Sequence, residues 1–128
     1  MDDGCAELMR FVRGEIDPAD FPHREHVRMA FEMLWRHPFA ETALHFSRAL
    51  RAMTAKAGRP QTYHETITIA FLSLVAERLE STGISDFAAF ERANPDILDK
   101  AALARWYRPE RLQTDAARRT FLLPEPTL

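Results

Sequence analysis

Residues 63–80 are the longest strongly apolar stretch of the chain, closed in front by Gly58-Arg59-Pro60 and behind by Ser81-Thr82-Gly83. The β-branched run Ile67-Thr68-Ile69 would suit a strand taken alone. Strands rarely exceed about 10 residues, whereas Ile67, Ala70, Phe71, Leu74 and Arg78 keep a 3.6-residue period along the whole segment. The pattern predicts a buried central helix, against which the rest of the chain must pack.

Its neighbours repeat the helical signal. A short helix is expected over 2–15, with Leu8, Phe11 and Val12 on one side. Asp17-Pro18-Ala19-Asp20-Phe21-Pro22 breaks it, Asp20 being placed to cap the next helix and Pro22 to enter its first turn. That helix is predicted over 23–36, with Val27, Ala30, Phe31 and Leu34 at i, i+3, i+4, i+7, and it ends at His37-Pro38 because a residue before proline is pushed out of the helical region. A third is predicted over 39–57 on the stripe Ala43, Phe46, Leu50, Met53, with Gly58 as its stop. Thr62 is the expected cap of the central helix. Beyond Gly83, Ser85 opens a short helix over 86–93, Asn94-Pro95 restarts another to Trp106, and Thr114 caps a last one through Arg119. Pro124 and Pro126 make the tail extended. The expected fold class is all-α: a bundle of four main helices with short C-terminal helices, in one domain spanning 1–128.

Composition narrows the setting. With 17 Lys+Arg against 19 Asp+Glu the net charge is −2, so no overall bias calls for nucleic acid. The basic excess over 92–119 is small: Arg92, Lys100, Arg105, Arg108, Arg111, Arg118 and Arg119 face Asp96, Asp99, Glu110 and Asp115. Trp106 and Tyr107 beside it read as core packing. No apolar run approaches the roughly 20 residues of a membrane span, and Met1-Asp2-Asp3-Gly4-Cys5 is acidic where a secretory signal is basic. A single cysteine, Cys5, leaves no intramolecular disulfide. A cytoplasmic protein with neither membrane nor nucleic-acid partner is expected.

The chemistry-bearing residues gather at two helix starts. His23 and His26 stand at i, i+3, so both imidazoles share a helix face. Tyr63-His64-Glu65-Thr66 opens the otherwise apolar central helix, and polar groups there need partners: caps, each other, water, metal or substrate. If the two starts face each other, His23, His26, His64 and Glu65 offer three nitrogens and a carboxylate, a set compatible with a divalent transition metal (Zn, Fe, Ni or Cu). Without metal, His64 and Glu65 would act as a general acid/base pair, with Tyr63 as hydrogen-bond donor. Arg51 and Arg59 would hold an anionic substrate group. Bland readings compete: most His-x-x-His pairs bind nothing, and Thr62-x-x-Glu65 matches a capping box. His37 and His45 are assigned to structure.

Three segments also form a recognisable set: His23-Arg24-Glu25-His26-Val27-Arg28-Met29-Ala30, Tyr63-His64-Glu65-Thr66-Ile67-Thr68, and Tyr107-Arg108-Pro109-Glu110-Arg111-Leu112 leading to Ala116-Ala117-Arg118-Arg119. In that order they resemble a family of small bacterial helical proteins of unestablished activity, over roughly 21–126. The resemblance implies that His23, His26, Tyr63, His64, Glu65 and Thr68 belong to the family pattern, and implies no reaction or cofactor. Histidines converging at one end of a four-helix scaffold are similar, as a fold-level analogy, to DinB-like metal-binding bundles.

Two functions are therefore expected to compete. One is a small enzyme, metal-dependent or acid/base, with a His-rich pocket for a small molecule. The other is a non-enzymatic module that binds a partner or forms a homodimer through Met29, Ala30, Phe31, Met33, Leu34 and Trp35.

Overall fold

A computed structural model describes residues 3–126. Its main helices are α1 (Asp3–Val12), α2 (His23–Arg36), α3 (Phe39–Lys56), α4 (Glu65–Thr82) and α5 (Phe87–Ala93), followed by the single-turn helices α6 (Pro109–Leu112) and α7 (Asp115–Arg119). There is no strand among the described residues, so the chain is all-α. Asp2, the expected first residue of the first helix, lies outside them, as does Met1.

α4 is the central helix. It packs on α2, α3 and α7 and buries Thr66, Thr68, Ala70, Leu72, Leu74 and Val75, positions that lie on more than one face. Ile67, Ile69 and Phe71 are half-buried. The larger core joins it to Phe11 of α1, Phe31 of α2, Phe46 of α3 and Phe90 of α5. A smaller cluster of Ala70, Leu103 and Tyr107 lies against the C-terminal segment. α4 ends at Gly83, whose φ of +64° is the left-handed turn only glycine adopts without strain.

Four local expectations are corrected. The segment after Asn94 is two 3-10 turns, Pro95–Leu98 and Lys100–Arg105. Asp99 separates them with extended backbone, and its carboxylate accepts from the Ala101 amide at 2.9 Å. Asp86 rather than Ser85 caps α5, accepting from Ala89 N at 3.0 Å. Asp20 lies inside a 3-10 turn, leaving Pro22 as the N-cap of α2. Thr62 does not cap α4, because Pro60–Thr62 winds into a 3-10 turn in which the Thr62 hydroxyl donates to Arg59 O at 2.7 Å.

Burial also bears on the expected interface of α2. Met29, Ala30, Phe31 and Met33 are core residues, so packing within the chain accounts for them, and Trp35 alone of that set is exposed. The extended tail is strapped down: Thr66 Oγ1 donates to Thr120 O (2.7 Å) and accepts from Leu122 N (3.0 Å), while Tyr107 Oη donates to Leu122 O (2.7 Å). Tyr107 is thus a buried core residue, as its sequence context suggests. No described helix is long and apolar enough to cross a membrane.

Candidate functional site

The starts of α2 and α4 do face one another, and between them and α3 lies a cavity of about 240 Å³. Its walls are mostly apolar: Val27 and Ala30 from α2, Phe46 and Leu50 from α3, Ile67, Phe71, Leu72 and Val75 from α4. The polar groups in the wall are His23, His26, Thr54, Thr62, Tyr63, His64 and Thr68. These are the residues at the two helix starts together with one from the end of α3.

His23 and His26 occupy the first turn of α2, their ring centroids 6.3 Å apart. His23 Nε2–H donates to the Ile97 carbonyl at 3.1 Å, and the ring meets Phe71 edge-on at 4.8 Å. A carbonyl only accepts, so the proton sits on Nε2 and Nδ1 keeps its lone pair. Burial lowers the His23 pKa from 6.5, against the opposing effect of that bond. His26 packs on Phe21 at 4.5 Å. Desolvation, with His23 adding to it, pulls its pKa down to about 4. Both imidazoles are therefore neutral at pH 7.

His64 has a different occupation from the expected one. It is the N-cap of α4: Nδ1 accepts from Ile67 N at 3.1 Å, in place of the usual Ser, Thr or Asp oxygen. Nε2–H donates to the Leu112 carbonyl at 2.6 Å. Both ring nitrogens are thus engaged by backbone, so the ring has no lone pair left for a metal and no free site for proton transfer. Glu65 is turned elsewhere. Tyr63 Oη donates to Glu65 Oε1 at 2.5 Å, and Arg51 Nη2 stands 3.8 Å from the same oxygen. The expected His64–Glu65 acid/base pair is not formed, and neither is the Thr62–Glu65 capping box.

Among the described residues no group of three or more His, Cys, Asp or Glu side chains is placed to hold a metal ion. The donor set His23, His26, His64 and Glu65 is brought to one region but not to one point. The reason is local: the Leu112 carbonyl and Ile67 amide claim His64, and Tyr63 and Arg51 claim Glu65.

What does assemble is a polar group at the cavity's edge. The Arg51 guanidinium lies over the Tyr63 ring at 4.3 Å, a cation–π contact. Burial and the Glu65 carboxylate push the Tyr63 pKa up to about 12, so the phenol holds its proton. Arg59 is exposed and lines neither this cavity nor the cleft beside it. Of the two expected anion-holding arginines, only Arg51 reaches the site.

Sequence reasoning missed the rest of the surroundings. Ile97 and Leu112 contribute through backbone carbonyls, which no side-chain pattern marks. Arg118 and Arg119 of α7 line an open cleft with Arg51, Thr54 and Tyr63, although some 55 residues separate them from Tyr63 in sequence. His37 and His45 are exposed and away from the cavity. Compared with protein-family models, with curated proteins and with solved structures, the chain has no significant match.

Proposed function

We propose that this protein binds a small, largely apolar molecule in the cavity between α2, α3 and α4. The observation that carries the reading is the cavity itself, which the side chains at the helix starts leave unfilled. Small-molecule sites are concave, mostly apolar pockets with a few polar groups in the wall, and this one, partly open to solvent, has a volume of about 240 Å³. An engineered apolar cavity of about 150 Å³ accommodates benzene, so by proportion this space suits roughly ten non-hydrogen atoms. The neutral imidazoles of His23 and His26 suit an uncharged hydrogen-bonding group on the occupant and would reject a buried ion.

Acid/base chemistry on the bound molecule is a second reading. It is supported by the lone pair of His23 Nδ1 and the neutral His26 in the same wall. A His26 pKa of about 4 makes that ring a weak base at pH 7, so binding without turnover is the better-supported function.

The test is a filling substitution. Ala30 is buried in the wall, and Ala30→Leu adds methyl groups to the empty space. Calorimetric titration with phenols, indole and medium-chain alcohols should show saturable binding to the parent chain and none to the filled variant. If no compound of that size binds the parent, or if the filled variant binds as well, the proposal fails.

A further inference from the structure

A second, open cleft adjoins the cavity at Tyr63. Thr54 and Tyr63 line both spaces, and the other walls of the cleft include Arg51, Arg118 and Arg119. An apolar chamber and an arginine-rich vestibule therefore share a wall. We propose that the ligand is an amphipathic carboxylate, its apolar tail in the cavity and its carboxylate among Arg51, Arg118 and Arg119. This rests on the binding reading above and adds the chemistry of the head group.

The electrostatics support it. Three guanidinium groups line the vestibule against one carboxylate, Asp115. Glu65 stands next to it but is committed to the Tyr63 hydroxyl, with Arg51 3.8 Å away. With both acids charged the vestibule still carries one net positive charge. Among the described residues Arg118 bonds to the Gln61 carbonyl at 3.4 Å, and neither Arg118 nor Arg119 makes an ion pair there. Guanidinium forks match carboxylate geometry, and two of the three have no acidic partner to displace. Tyr63 forms the boundary. Its ring lies under Arg51 and its hydroxyl donates to Glu65, so the wall shared by the two spaces is aromatic and uncharged.

Octanoate and octan-1-ol are the probes, since both carry the same length of tail and only one carries charge. Calorimetric titration at low salt should show octanoate binding roughly tenfold tighter, or more, than octanol. The Arg118→Gln/Arg119→Gln double variant should bring octanoate down to the octanol affinity and leave octanol unchanged, the latter showing that the cavity is still folded. Raising the salt from about 50 to 300 mM should weaken octanoate alone. Equal affinities for the parent chain, or an octanoate affinity that the double variant does not change, would overturn the head-group assignment while leaving the cavity reading intact. Binding of neither probe would overturn both.

Discussion

His64 joins two distant parts of the chain: its imidazole caps the first turn of α4 at Ile67 N and donates to the Leu112 carbonyl, 48 residues away. One side chain thereby satisfies two partly buried backbone groups on opposite sides of its ring. This makes the residue a structural keystone of the cavity's polar end and removes it from chemistry.

His64→Ala should lose both bonds and cost about 2–3 kcal/mol, the sum of a cap and a partly buried hydrogen bond with its orphaned carbonyl. His64→Asn retains a capping acceptor and should cost about 1 kcal/mol. Urea denaturation of the two variants measures both, and a loss below about 0.5 kcal/mol for the alanine would contradict this account.

His26 makes stability sensitive to acid. Its folded pKa of about 4 lies below the ordinary 6.5, so the unfolded chain takes up a proton first. Stability is complete above pH 6.5 and falls as the pH drops toward 4, by at most about 3 kcal/mol. His23, whose pKa is also lowered, adds in the same direction. His26→Leu should flatten the stability profile between pH 6.5 and 4, leaving the smaller His23 contribution; an unchanged slope in thermal unfolding would refute it.

Thr42 of α3 is fully buried, and its hydroxyl has no hydrogen-bond partner among the described residues. An unpaired buried hydroxyl carries a desolvation cost with no compensating bond. Thr42→Val preserves the shape and should stabilise the chain by about 1 kcal/mol, seen as a higher urea midpoint with an unchanged slope.

Arg78 holds the loop after α5 to α4. Its guanidinium makes paired bonds to Asp96 at 3.0 and 2.8 Å and a third to Asn94 Oδ1 at 2.9 Å. The bonded Arg78 keeps the Asp96 carboxyl below its ordinary pKa, so this contribution is present above the unfolded value of 3.8 and fades as the pH falls below it. Lysine cannot reproduce the fork. Arg78→Lys should cost about 1 kcal/mol at pH 7 and less at pH 3, and equal losses at both would argue against the ion pair.

The helices were legible because their signals are local. Apolar period, Pro38 and Gly83 placed α2 and the stop of α4 within a residue or two, since a helix is set by contacts four residues apart. The segment after Asn94 misled because its composition suits a helix while Asp99, a capping side chain, interrupts it. At the site, the pairing of Tyr63 with Glu65 lies within one turn, yet the competing uses of Glu65 as cap, base or ligand are indistinguishable in sequence.

The sequence by itself determined the all-α class, the central position of α4 and the gathering of histidines at two helix starts. Only the tertiary structure decided what those histidines do. The Leu112 carbonyl, the Ile97 carbonyl and the arginines of α7 come from segments remote in sequence, and a backbone acceptor leaves no mark in the side-chain pattern. Which polar groups meet depends on how whole helices pack, and that packing gave His64 to the backbone, left His26 neutral in the wall, and set an apolar cavity beside three arginines.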